Sequence, residues 1–214
     1  MELAPYRHVI WDWNGTLLND ARLCVATINA VLRQRGLPTI TPRRYAERFI
    51  FPVRDYYRGL GFDFEKESFE IVGTEFIERY RRRCRSCRLQ PHARRVLQAL
   101  ARAGLTQSVL SAHEQATLDQ MVDHYGLRRF FVRCVGLDDH YARGKLHTGR
   151  RWIRELGHAG REVLLVGDTE HDAEVARALE VDCVLFAGGH NTVARLKACG
   201  FPVIRSLRAL AGAT

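Results

Sequence analysis

The sequence predicts an α/β protein built on a doubly wound parallel sheet, with a helical unit inserted after the first strand. Three observations predict it. Short apolar runs recur along the chain, amphipathic stretches of helical length alternate with them, and one interval, 19–90, breaks that alternation.

Residues 7–12 (RHVIWD) read as a short buried strand ending on a carboxylate, because 13–16 (WNGT) is a turn signal. In 19–90 the apolar residues follow helical spacing without convincing strands. Leu17, Ala21, Cys24, Ile28, Val31 and Leu32 form one stripe; Phe69, Val72, Phe76 and Tyr80 form another. Asn19 or Asp20 is the expected N-cap of the first helix. The expected division is therefore 1–18 with 91–214 as the sheet-based core and 19–90 as a helical cap. A helix is expected to start at Pro91, turn Val96, Leu97 and Leu100 inward and stop at Gly104. A second carries Leu118, Met121, Val122 and Tyr125 and stops at Gly126. A third carries Trp152, Ile153 and Leu156 and stops at Gly157. Strands are expected at 107–111, 131–136, 163–167 and 182–187, with 201–205 as a possible sixth.

Length and composition narrow the function. A chain of 214 residues holds one full core plus a modest insertion. At 46% hydrophobic and 27% charged it is an ordinary globular protein. No apolar run approaches the ~20 residues of a membrane span, so no membrane partner is expected. Residues 1–5 (MELAP) lack the basic-then-apolar order of a signal peptide, and a cytoplasmic location is the default. Cys24, Cys134, Cys183 and Cys199 lie in apolar stretches and read as core residues. Cys84 and Cys87 have no second pair at zinc spacing and read as ordinary thiols. The formal charge is +9, and 30 of the 33 basic residues are Arg. Such a surface attracts anionic substrates. Without an aromatic-interleaved basic motif, nucleic acid is the weaker partner. Nothing in the sequence fixes an oligomeric state.

A sheet ordered 3-2-1-4-5 sets strands 1 and 4 side by side where the winding reverses, and the loops after them diverge to leave a crevice. Asp12 ends strand 1; Asp168, in 167–172 (GDTEHD), follows strand 4, with Asp172 a helical turn beyond. Carboxylates crowded there stay ionised only beside a cation, and an oxygen-only donor set at a phosphate site favours Mg²⁺. Ser111 ends strand 2, where a hydroxyl can bind a phosphate oxygen. Lys145 is one of three lysines in an Arg-dominated chain, which suggests a compact point charge.

These residues, in this order, resemble the haloacid dehalogenase-like (HAD) phosphatase superfamily, and within it the phosphoglycolate-phosphatase-like members with a helical cap. The matching motifs are 12–16 (DWNGT), Ser111, Lys145 and Gly167-Asp168 with Asp172. The resemblance implies a Rossmann-like core and Mg²⁺-dependent hydrolysis of a small phosphorylated substrate through an aspartyl-phosphate. It makes Asp12 the nucleophile and a metal ligand, with the Asn14 backbone carbonyl and Asp168 as further ligands. Asp172 binds the ion through water or orients Lys145. Thr16, Ser111 and Lys145 hold the transferring oxygens.

One position departs from the family pattern. The second residue after the nucleophile is ordinarily an Asp that protonates the leaving group; here it is Asn14, which does not titrate. Loss of a positioned acid–base typically costs ~10²–10⁴ in rate. Three readings follow: a preference for good leaving groups such as acyl phosphates and anhydrides, a different proton donor (His113 or His171), or a slow or retired enzyme kept for binding or regulation. Arg43, Arg44, Arg48, Arg54 and Arg58 in the insertion either clasp a second anionic group or form a solvated basic face.

Overall fold

The computed structural model describes residues 5–138, 141 and 144–211; residues 1–4, read above for a leader, lie outside them. Six parallel strands form the central sheet: β1 (His8–Trp11), β4 (Thr106–Glu114), β5 (Arg133–Leu137), β6 (Val163–Gly167), β7 (Asp182–Phe186) and β8 (Val203–Ile204). Their order is β5-β4-β1-β6-β7-β8. This is the expected doubly wound order, with the possible sixth strand added at the edge beside β7.

Period-two alternation sends neighbouring residues of each strand to opposite faces. Val9, Trp11, Val109, Leu164 and Val166 join one buried cluster; Ile10, Leu110, Val135, Leu165 and Cys183 join the other. Helices α5 (Ala93–Arg102) and α6 (Gln115–His124) cover the first face. Helices α7 (Leu146–Leu156), α8 (Glu170–Leu179) and α9 (Val193–Ala198) cover the second. The chain changes face between β5 and β6, so β1 and β6 lie at the switch. β1 has all four residues buried, which explains its unbroken apolar run. Truncating a central residue such as Ile10 to Ala costs about 2–5 kcal/mol.

Between β1 and β4 lie α1 (Ala21–Gln34), α2 (Pro42–Arg48), α3 (Val53–Gly59) and α4 (Phe69–Cys84). The stripe Cys24, Ile28, Val31 and Leu32 is buried against Phe69, Val72 and Tyr80. Arg35, just past α1, pairs with Glu67 at 2.5 Å and with Glu75 of α4 at 2.8 Å. Where the chain leaves and re-enters the sheet region, the short strands β2 (Leu18–Asn19) and β3 (Arg88–Leu89) pair antiparallel. The interval read as strand-free thus has a two-stranded ribbon at its base.

Other expectations change at element ends. α5 starts at Ala93 and not at Pro91, because His92 adopts a left-handed φ of 68° and breaks the run. β4 continues past Ser111 to Glu114, with a register shift between Leu110 and Glu114 against β5. Asp20 stands at the N-cap of α1 but makes no side-chain cap bond. Its carboxylate is used elsewhere. The six cysteines are free, and no helix among the described residues is long and apolar enough to cross a membrane.

Candidate active site

Parallel register places the site. Trp11 pairs with Val109 on one side and Val166 on the other, so the strands end level and their next residues emerge together. The Asp12 amide still donates to the Val166 carbonyl at 2.8 Å. The chain then turns sharply: the Leu17 and Leu18 amides both donate to the Trp13 carbonyl. Gly15, at φ 78°, makes this turn possible. A Cβ there would also lie 2.3 Å from Asp168 Oδ2, so only glycine fits.

The expected carboxylates meet. Asp12, Asp168 and Asp172 each offer an oxygen within 4.8 Å of the others, and all three are buried. Lys145 reaches between them, with Nζ 2.5 Å from Asp12 Oδ1, 2.6 Å from Asp172 Oδ1 and 3.0 Å from the Leu110 carbonyl. Asp172 closes the first turn of α8: Oδ2 accepts from the Asp168 and Thr169 amides, and the Thr169 hydroxyl accepts from the Asp172 amide. Thr16 donates its hydroxyl to Asp168 Oδ1 at 2.6 Å. Ser111 is buried in the cavity wall, its Oγ accepting from the His113 amide at 3.1 Å.

The sequence reading missed His190, although it follows a Gly-Gly pair after the strand next to β6. Its amide donates to Asp168 Oδ2 at 2.6 Å. A Cβ on Gly189 would lie 2.1 Å from the same oxygen, so the loop hugs Asp168 only with glycine there. His190 Nε2 lies 3.5 Å from Asp20 Oδ1, and its Nδ1 is 2.9 Å from the Tyr45 hydroxyl. Asp20 also accepts from the Gly15 amide, the Asn14 side-chain amide and the Tyr80 hydroxyl at 2.7–2.9 Å. Asn14 donates to the Tyr80 hydroxyl as well, at 2.9 Å. Gln90, also missed, donates to the carbonyls of Gly15 and Gly188 and ties the two loops.

The electrostatics fit a divalent cation. Burial raises Asp12 well above the usual carboxylate range, with Lys145 opposing it. Burial likewise pushes Asp168 up to about 6 against the charge of His190. Burial works against ionisation of Asp172 too, but the charge and hydrogen bond of Lys145 override it and hold the carboxyl low. At Asp20 burial is outweighed by His190, Asn14 and Tyr80, bringing it to about 2. Burial lowers His190, but Asp20 and the neighbouring carboxylates lift it to about 9. Fully ionised, the four carboxylates would outnumber the two buried cations Lys145 and His190 by two, and the upward shifts of Asp12 and Asp168 mark where a further cation would be accommodated. An all-oxygen donor set with that excess suits a hard ion such as Mg²⁺.

The other expected residues are placed as follows. His113 and His171 line the same cavity. Burial brings His113 down to about 4 and also lowers His171, so both rings are neutral near pH 7. Arg43, Arg44, Arg48, Arg54 and Arg58 are exposed and do not line the cavity. Arg54 and Arg58 lie over the Phe64 ring at 5.6 and 5.8 Å.

Fold and site define a phosphatase-type hydrolase. The family model described as haloacid dehalogenase-like hydrolase matches residues 9–186, and the chain belongs to that family. It is 26% identical to a phosphoglycolate phosphatase of Xanthomonas campestris over 86% of this chain and 85% of that protein. It is 24% identical to the tyrosine-protein kinase PtkA of Mycobacterium tuberculosis over 86% of this chain and 62% of that one. A solved haloacid dehalogenase-like family hydrolase from Streptococcus pneumoniae superposes with a TM-score of 0.81, covering 97% of this chain and 98% of that one, at 16% identity.

Proposed function

We propose that this phosphatase hydrolyses phosphate esters or anhydrides by way of a phosphoryl group carried on Asp12. The observation that carries the reading is the Asp12 carboxylate, buried at the end of the central strand, pinned through Oδ1 by Lys145 and facing Asp168. Oδ2 is left for attack; its near neighbour is the Thr16 hydroxyl at 3.5 Å. A bond forms from Asp12 to phosphorus as the bond to the leaving oxygen breaks. Water then attacks phosphorus, inorganic phosphate departs and Asp12 is restored. Lys145 offsets the charge of the transferring oxygens, the Ser111 hydroxyl donates to one of them, and Thr16 holds Asp168 in place. Asp12, the Asn14 backbone carbonyl and Asp168 would hold Mg²⁺, which lets an anionic nucleophile approach an anionic substrate. Asp172 is mainly the partner that orients Lys145.

Asn14 acts as a strut to Asp20 and Tyr80. With His113 and His171 neutral, leaving groups that need no proton are favoured. Residues 19–90 act as the cap and 1–18 with 91–214 as the core, with the β2–β3 ribbon as the hinge. A cytoplasmic setting and a small phosphorylated substrate complete the proposal. The intact Asp12, Ser111, Lys145 and Asp168 favour an active enzyme over a retired binding protein.

A phosphatase screen with and without added Mg²⁺, run beside Asp12→Asn, tests this. Wild type should turn over only with the metal and form a hydroxylamine-labile phosphoryl adduct. Equal turnover by Asp12→Asn would rule Asp12 out as the nucleophile.

A further inference from the structure

The cavity continues from the carboxylates into the helical insertion, and there its character changes. Its wall becomes aromatic, formed by Tyr45, Phe49, Phe51, Tyr56, Phe76 and Tyr80 among others. Several of these rings brace one another: Tyr45 stacks on Phe49 at 5.0 Å, Phe51 on His171 at 4.7 Å and Phe76 on Tyr80 at 6.2 Å. The whole cavity, its carboxylate end included, is about 130 Å³.

No cationic side chain that lines the cavity, among the described residues, is without a carboxylate partner. Among the described residues lining the cavity, Lys145 is held by Asp12 and Asp172, His190 by Asp20, and Arg81 by Glu114. The five arginines considered for a second anionic group point to solvent.

We infer that the leaving group is an uncharged aromatic ring, so that the substrate is an aryl monophosphate; this rests on the phosphatase reading above. The aromatic wall stacks on the ring. The same substrate class accounts for Asn14. A phenol ionises near pH 10, so an aryloxide departs without an enzyme proton and takes one from water afterwards. An alkoxide, with a parent alcohol near the ~15.7 of water, requires one.

The test separates ring recognition from leaving-group strength. Phenylphosphonate and methylphosphonate, which share the phosphoryl end and are not hydrolysed, are compared as competitive inhibitors of acetyl phosphate hydrolysis by the Mg²⁺-loaded enzyme. The ring should improve inhibition by about tenfold or more. Gly73 of α4 lines the cavity, and a Cβ there meets Phe69 at 3.7 Å, an ordinary contact. Gly73→Ala should therefore fold, whereas Gly73→Leu fills the ring site. The ratio of kcat/KM for phenyl phosphate over acetyl phosphate should fall about tenfold or more in Gly73→Leu. Equal inhibition by the two phosphonates, or an unchanged ratio in a folded Gly73→Leu, overturns the ring site while Asp12-dependent acetyl phosphate hydrolysis still stands. Loss of that hydrolysis in wild type would instead sink the underlying phosphatase reading.

Discussion

The charged end of the cavity takes Asp12, Ser111 and Asp168 from three adjacent parallel strands or the loops directly after them, whereas the aromatic end is assembled from helices and the segment between α2 and α3, which no strand register controls. At the charged end a residue's position follows from the level at which its strand stops. At the aromatic end it follows from how α2, α3 and α4 pack. The first arrangement leaves little room for change, since Gly15 and Gly189 already crowd Asp168. The second can be re-lined without disturbing the first, which is how one fold serves many substrates.

The sharpest way to break this contrast is at Asp12. Asp12→Asn keeps the shape of the side chain and should lower turnover by ~10⁴-fold or more in steady-state assays, for ring-bearing and ring-free substrates alike. Lys145→Met comes next. It strands Asp12 and Asp172 in a buried place without their cation, and urea denaturation should show a loss of about 3–5 kcal/mol. Adding Asp172→Leu should recover part of that loss, because one of the two stranded charges is then gone.

His8, at the start of β1, serves as the reference outside the cavity. Its Nδ1 lies 2.7 Å from the Thr106 hydroxyl and its Nε2 2.7 Å from the Ser108 hydroxyl, which in turn accepts from Trp152. Burial, helped by His158, brings His8 down to about 4. Unfolded, it titrates near 6.5, so between these values the unfolded chain binds more protons. Its contribution is complete above pH 6.5 and lost as pH falls toward 4, on the order of 3 kcal/mol. His8→Gln should flatten that part of the stability–pH curve. Asn14→Asp should give the most selective effect: alkyl phosphates gain ~10²-fold in kcat/KM and aryl phosphates gain much less. Equal gains on both would mean that Asn14 does not set the leaving-group preference.

The charged end was legible in the sequence because strand-ending residues mark themselves. Asp12 follows an apolar run and precedes a turn signal, and Asp168 does the same after 163–167. His190 was not legible, since it acts mainly through its backbone amide and a ring that reaches Asp20. Gly188-Gly189 after β7 was the available sign. Asp20 looked like a helix cap, and the structure instead gives its carboxylate to Asn14, Gly15, Tyr80, His190 and the Cys24 thiol. Phe76 and Tyr80 were read as one apolar helical stripe; nothing in that spacing announces a shared cavity.

By itself the sequence marked the strands, the helices between them and the two carboxylates at strand ends, because apolar runs and the residues that end them are local properties; the doubly wound class they define then supplied the strand order and the winding switch. Only the tertiary structure decided that Asn14, Asp20, Tyr80 and His190 form one network, and that aromatic side chains from α2, α3, α4 and the segment between α2 and α3 line one cavity. Those contacts depend on the angles at which helices cross, which follow from packing summed over the whole cluster and not from the spacing of any one segment.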